Sequence, residues 1–226
     1  MNPQSHTNRT HCIRCGECCM KSSPTLQISD LQLLENGTLR KEQLYTIRAG
    51  ELIADNIRDE LRLTDEELMK LREKPAGGCI FHDADGNACT IYENRPAQCA
   101  AFACWDAGEF MRVYDTPKLI RRDLVEDGVL LGLMEKHEER CGYNILEAIV
   151  KDVQARGEQA LGEILEIMKF DYRLRPFVAE KLSIPSAEMD FLFGRPVVDT
   201  ITMFGLKVVR DADGGFLLTT LENGGS

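Results

Sequence analysis

The sequence predicts an α+β fold, mainly helical: a cysteine-rich metal-binding half containing a β-hairpin, then a helical C-terminal half ending in a second hairpin. Three features carry that expectation. Apolar residues recur at helical spacing through most of the chain after Trp105. Two pairs of short β-like runs flank turn sequences rich in Asp, Gly and Asn. Eight of the nine cysteines fall into two groups, four within residues 12–19 and four within residues 79–104. The expected division is a metal-binding region with a helical insertion over 11–107 and a helical region with the C-terminal hairpin over 108–226. The two are expected to pack as one unit, because no linker composition separates them.

Each element has a local reason. Ser29 or Asp30 caps a short helix that Asn36-Gly37 terminates. A second helix is expected from about Thr38. Leu52, Ile53, Ile57 and Leu61 then share one face at helical spacing. Thr64-Asp65-Glu66-Glu67 reads as a capping box for a helix reaching about Glu73, which Pro75-Ala76-Gly77-Gly78 ends. Cys79-Ile80-Phe81 and Cys89-Thr90-Ile91-Tyr92 are the expected strands of the first hairpin, turned by Asp83 to Asn87. Pro96 suits the first turn of a helix that carries Cys99, with Cys104 near its end. Thr116-Pro117 is expected to open another helix. Ile145, Leu146, Ile149, Val150 and Val153 form one amphipathic stripe, and Leu161, Ile164, Leu165 and Met168 a second. Pro185 and Pro196 interrupt the pattern. Leu206 to Arg210 and Phe216 to Thr220 flank the turn Asp211 to Gly214. The first ten residues and the tail Asn223 to Ser226 are expected to fray.

Composition excludes several classes. The chain has 226 residues, 43% hydrophobic and 28% charged, in the range of globular proteins with a real core. No apolar run approaches the roughly 18 residues that cross a bilayer. Met1 to His6 has neither the basic start nor the apolar stretch of a signal peptide, so a cytoplasmic location is expected. With 27 basic and 37 acidic side chains the net charge is −10, which repels phosphate backbones and anionic lipid. Neither nucleic acid nor membrane is an expected partner. The densest basic group, Lys118, Arg121 and Arg122, runs straight into Asp123, Glu126 and Asp127.

The cysteines carry the chemistry. In a reducing compartment, clustered cysteines read as metal ligands or redox groups rather than disulfides. The first group is Cys12-Ile13-Arg14-Cys15-Gly16-Glu17-Cys18-Cys19. Cys-x-x-Cys on a tight turn brings two sulfurs within reach of one metal, and glycine after the second cysteine permits the turn. Cys-x-x-Cys-x-x-Cys can also wrap part of an iron–sulfur cubane. A bacterial ferredoxin run would place its fourth cysteine at Ser22, as would a radical-SAM triad its third, so neither pattern applies. Adjacent side chains tend to diverge, so Cys18-Cys19 suggests two neighbouring sites or one polynuclear site. By count, Cys12, Cys15, Cys18, Cys19, Cys79, Cys89, Cys99 and Cys104 supply two four-coordinate sites. Each would add a charge of about −2, which backbone N–H groups, Arg14 and Arg95 are placed to offset. Tyr92 belongs with them as a neighbour of the sulfurs and as hairpin core. Cys141 stands apart as a buried or free thiol. His11 and His82 adjoin ligand cysteines and read as hydrogen-bonding or solvated side chains.

These residues resemble the cysteine-cluster family named for its CxxCxxCC motif and described as zinc- or iron-chelating, whose members have often been labelled iron–sulfur oxidoreductases. The resemblance runs from Cys12, Cys15, Gly16, Cys18 and Cys19 through Cys79-Ile80-Phe81 and Cys89-Thr90-Ile91-Tyr92 to Arg95-Pro96, Cys99, Phe102 and Cys104. It covers roughly residues 12–105 and gives every family cysteine a counterpart. It implies metal or cluster binding without choosing the metal. A related cysteine cluster in flagellin lysine N-methylases admits a cluster-dependent protein-modifying enzyme.

The favoured expectation is a protein carrying one or two iron–sulfur clusters, [4Fe–4S] preferred, with a redox or cluster-dependent role and a protein or redox partner. A structural zinc module that presents a surface to a partner is the alternative, and a lysine N-methylase-like enzyme the third. No glycine-rich nucleotide loop and no Ser/His/Asp set names a reaction.

Overall fold

The computed structural model describes residues 10–55, 57–210 and 216–220. In chain order the elements are α1 (Glu17–Lys21), α2 (Leu31–Glu35), β1 (Leu44–Ile47), β2 (Leu52–Asp55), β3 (Glu60–Leu63), β4 (Leu68–Leu71), β5 (His82–Asp83), β6 (Ala88–Cys89), α3 (Ala97–Ala101) and α4 (Gly108–Tyr114). They continue with α5 (Gly128–Cys141), α6 (Tyr143–Lys151), α7 (Val153–Arg156), α8 (Glu158–Lys181), α9 (Met189–Phe193), α10 (Val197–Thr200), β7 (Leu206–Arg210) and β8 (Phe216–Thr220). Helices dominate, and every described sheet is two-stranded, so the fold is α+β and mainly helical as the sequence predicts. The chain forms two compact units, each discontinuous in sequence: Met1–Tyr45 with Leu68–Leu124, and Thr46–Glu67 with Val125–Ser226.

The first unit is built on Leu26, Leu39, Leu44, Met69, Leu71 and Leu119, each no more than 1% exposed. Its segments are laced by backbone bonds: Leu26 N–H donates to Met69 O at 2.8 Å, Ile28 N–H to Pro117 O at 2.9 Å and Leu119 N–H to Leu26 O at 3.1 Å. The short helix before Asn36-Gly37 is present as α2. Three expected helices are not. After Thr38 there is only a single 3-10 turn, Lys41–Gln43, before β1 begins. Thr64 does not cap a helix; its hydroxyl donates to Glu66 O at 2.8 Å and closes a local turn. The chain then enters β4, where Leu68, Met69 and Leu71 are buried. Thr116-Pro117 likewise opens no helix, because Lys118 is drawn into an antiparallel bridge with Gln27. The next helix, α5, starts where Asp127 accepts from Val129 N–H at 2.8 Å and Leu130 N–H at 2.9 Å.

In the second unit, the stretch expected to place Leu52, Ile53, Ile57 and Leu61 on a helix is a hairpin. β2 and β3 pair antiparallel, with Leu52 opposite Leu63 and Ala54 opposite Leu61. Asp55 decides it. Its carboxylate accepts from Ile57 N–H at 3.0 Å and Arg58 N–H at 3.2 Å, and Asp59 adopts a left-handed φ of 55°. An Asx turn thus ends the strand where a helix would have continued. The two apolar stripes do form helices, α6 and α8, except that Val153 of the first falls in the separate short helix α7. Leu146, Ile164 and Met168 meet Val197, Ile201 and Leu206 in one buried cluster. β7 and β8 pair as predicted, Leu206 opposite Thr220 and Val208 opposite Leu218. The expected turn Asp211 to Gly214, the frayed start before Thr10 and the tail after Thr220 lie outside the described residues.

Polar groups organise the interior of this unit. Asp171 on α8 accepts from His137 Nε2 on α5 at 2.8 Å, from Arg175 Nε at 3.0 Å and from Val197 N–H at 2.9 Å. Burial alone would raise the Asp171 carboxyl, but His137 and Arg175 outweigh it and hold the group at about 2. Arg48 is wholly buried. It donates to Cys141 O at 3.0 Å and lies 4.4 Å from the Tyr143 ring centre. Cys141 is 0% exposed, and burial pushes its thiol up to about 12.

Candidate metal centre

Cys12 and Cys15 lie in a loop whose backbone turns at Arg14, a left-handed residue with φ 56°. Arg14 N–H donates to Cys12 Sγ at 3.3 Å. Gly16, with φ 75°, ends the loop and starts α1, the helix that carries Cys18 and Cys19. A Cβ at Gly16 would stand 2.3 Å from Asn87 Oδ1 and 2.5 Å from His82 Nε2. Glycine is therefore required twice here, by backbone conformation and by close approach.

The groups that crowd Gly16 belong to the first hairpin. β5 and β6 place His82 opposite Cys89. The strands are shorter than expected and displaced: Cys79 precedes β5, and Tyr92 follows β6 in a 3-10 turn, Tyr92–Asn94. Asn87, in the turn, donates from Nδ2 to Cys15 O at 3.0 Å and offers Oδ1 to His82 Nε2 at 3.2 Å. One asparagine thus joins the loop of the first cysteine group to the hairpin of the second. A second tie is pure backbone, Cys79 N–H to Cys19 O at 2.7 Å.

Cys99 sits on α3, which begins after Pro96 as predicted. Asp30 fixes that start: one carboxylate oxygen accepts from Ala97 N–H at 2.8 Å and the other from Gln27 N–H at 2.8 Å. Gln98 Oε1 accepts from Thr25 N–H at 2.9 Å. Cys104 lies beyond α3, beside the bridge between Ala103 and Asp106.

All eight clustered cysteines line one cavity of about 180 Å³, and all are free thiols. Cys12, Cys18 and Cys104 are exposed, Cys79 is buried and the rest lie between. Among the described residues no three His, Cys, Asp or Glu side chains gather around a common point. A hydrogen bond from the Cys19 thiol lowers Cys18 to about 6 and raises Cys19. Burial pushes the Cys79 and Cys99 thiols up, and neighbouring sulfurs add to the effect.

The three expected neighbours share the cavity wall. The Arg14 and Arg95 guanidinium carbons lie 4.0 Å and 4.1 Å from the Tyr92 ring centre. Arg95 also donates to Tyr92 O at 2.7 Å and to Cys99 O at 3.3 Å, so it braces the turn between Cys89 and Cys99. Residues 11–117 match the CxxCxxCC family. That family is described as a "Putative zinc- or iron-chelating domain". The CxxCxxCC match is the resemblance read from the cysteine spacing, and it includes all eight clustered cysteines. No match to the chain was found among curated proteins or solved structures. Among the described residues no helix is long and apolar enough to cross a membrane.

Four residues that organise the centre carry little sequence signal. Asp30 reads as a helix cap, Asn87 as a turn residue and Gln98 as an ordinary helix residue, while His82 stands out only by its nearness to Cys79. The one clue is Asn87, which closes the turn run Asp83-Ala84-Asp85-Gly86-Asn87 immediately before the second strand.

Proposed function

We propose that the CxxCxxCC domain holds an iron–sulfur centre, [4Fe–4S] by preference, and serves a redox or cluster-dependent role with a partner protein. One observation carries this reading: eight thiols from separate short segments line a single cavity of about 180 Å³. A lone ion occupies far less space, since even a water takes only about 30 Å³ in the liquid. The donor set also fits. Soft thiolates suit iron–sulfur clusters and zinc alike, and no carboxylate-rich oxygen set competes in the cavity wall.

Cys12, Cys15, Cys18, Cys19, Cys79, Cys89, Cys99 and Cys104 are the residues that would hold the group. When bound, such a centre supplies one-electron redox chemistry. The chain supplies the rest. The Cys18 thiolate is available at neutral pH without a strong base. Arg14 and Arg95 place positive charge beside ligands whose sites would add about −2 each. Leu71, Phe81 and Ile91 give the wall an apolar character that limits water. A reducing, cytoplasmic setting would keep the nine thiols free, and the net charge of −10 favours a protein partner over nucleic acid or membrane.

Anaerobic purification followed by a visible spectrum and counts of iron, sulfide and zinc tests the reading. The expected result is a brown protein absorbing near 400 nm, with iron and sulfide in equal amounts. A colourless protein with stoichiometric zinc would replace it with a structural zinc module.

A further inference from the structure

The β2–β3 hairpin of the second unit is turned inside out for an element in water. Antiparallel pairs with one solvated face normally put polar side chains outward. Here the register places Leu52, Ala54, Leu61 and Leu63 on one face and Ile53, Asp55, Glu60 and Arg62 on the other. On the apolar face Leu61 is 71% exposed and Leu63 46%. On the opposite face the Asp55 side chain is 3% exposed and its ion-pair partner Arg62 24%. The hairpin is the whole of its sheet among the described residues, and isolated two-stranded ribbons are marginal without something packed on them. Its shape is nevertheless fixed. Asp55 caps the turn through two backbone N–H groups and accepts from Arg62 Nε at 2.9 Å across the pair.

The charge around the leucines selects the occupant. The exposed acidic side chains at the two ends of the leucines are Asp59 in the turn and Asp65 and Glu66 beyond β3, and Glu60 adds its charge from the opposite face; the basic residues of the stretch are Arg58 and the ion-paired Arg62. A second copy would bring the same carboxylates face to face, and anionic lipid would be repelled.

We propose that this face docks a partner-protein segment whose apolar side chains are flanked at both ends by Lys or Arg. Its apolar side chains would lie on the leucine face, with its cations toward Asp59 at one end and Asp65 and Glu66 at the other. The surface belongs to the second unit and does not depend on the metal bound by the first.

The test titrates the full-length protein with a labelled peptide of alternating Leu and Thr carrying two lysines at each end, and with its glutamate-flanked twin, at low and high salt. The lysine-flanked peptide is expected to bind at least about tenfold more tightly and to weaken with salt. L61S/L63S is expected to reduce its affinity about tenfold or more, while D65N/E66Q reduces affinity at low salt only. No binding of the lysine-flanked peptide, equal binding of the two peptides, or affinity unchanged by L61S/L63S would overturn the proposal. So would concentration-dependent dimerisation that L61S/L63S abolishes, which would assign the face to a second copy. If L61S/L63S loses its far-ultraviolet circular dichroism, D65N/E66Q decides, and unchanged low-salt affinity in that variant overturns the proposal.

Discussion

The N–H of Cys79 donates to the carbonyl of Cys19 at 2.7 Å, joining two cysteine segments about sixty residues apart without using either side chain. Both sulfurs are left to face the shared cavity. The backbone assembles the site, and the thiols remain free for ligation.

Gly16 tolerates a side chain poorly in this assembly. Gly16→Ala places a Cβ against Asn87 and His82 and holds an L-residue at φ 75°. The expected cost is about 2 kcal/mol. A lowered melting temperature together with reduced metal stoichiometry checks it; an unchanged melt would contradict the packing argument.

Asp30 controls Cys99 from a distance. Asp30→Ala leaves the buried N–H of Gln27 without an acceptor, at about 1–3 kcal/mol, and frees the half-buried N–H of Ala97 at a smaller cost. Faster amide exchange at the start of α3 and loss of metal at Cys99 are expected. Burial raises the Asp30 carboxyl in the folded state. This group therefore opposes folding once ionised, and its contribution becomes less favourable as pH rises from the ordinary carboxylate range through the raised folded value. Urea titrations of the wild type and Asp30→Asn across that range read the difference.

In the reduced, metal-free protein at pH 7, Cys18 is expected to alkylate first, because its thiol is held at about 6. Cys141, pushed up to about 12 and 0% exposed, is expected to react only after denaturation. Mass spectrometry of timed iodoacetamide labelling gives the order, and bound metal should protect Cys18.

Asp171→Asn removes the buried carboxylate that pairs with Arg175 and His137 and leaves the buried guanidinium to the more exposed Asp190 at 3.2 Å. The expected loss is about 3–5 kcal/mol by urea unfolding at neutral pH. In the wild type the carboxyl falls from 3.8 to about 2 on folding. Its stabilisation, about 2 kcal/mol, is present above the unfolded value and is lost as pH falls toward 2. Burial also depresses His137, so a further part is lost on acidification below the ordinary histidine value of 6.5. Stability that held constant from pH 7 to pH 3 would contradict both assignments.

Metal removal should act on the cysteine unit. A chelator is expected to raise amide exchange through residues 10–45 and 68–124, because ligation across the long intervening loop contributes directly to folding, on the order of 10 kcal/mol for a structural zinc site. Helices α6 and α8, held by the apolar cluster of Leu146, Ile164 and Met168, should keep their protection.

The sequence by itself determined the features written in local chemistry. The eight thiols, glycine at position 16, the proline before α3, the stripes of α6 and α8 and the C-terminal strands each follow from residue type and short-range spacing. Even the wall residues Arg14, Tyr92 and Arg95 were legible, because they lie within a few positions of a cysteine. Tertiary structure decided what local signals leave degenerate. Leu52, Ile53, Ile57 and Leu61 suit a helix by period, yet the Asx turn at Asp55 and the pairing of Leu52 with Leu63 make a hairpin. Thr64 to Glu67 has the composition of a helix cap, yet Leu68, Met69 and Leu71 gain more by burial as a strand. The roles of Asp30 and Asn87 arise from partners 67 and 72 residues away. A hydrogen bond across that distance leaves no periodicity in the chain, because its position is set only when the segments between have packed.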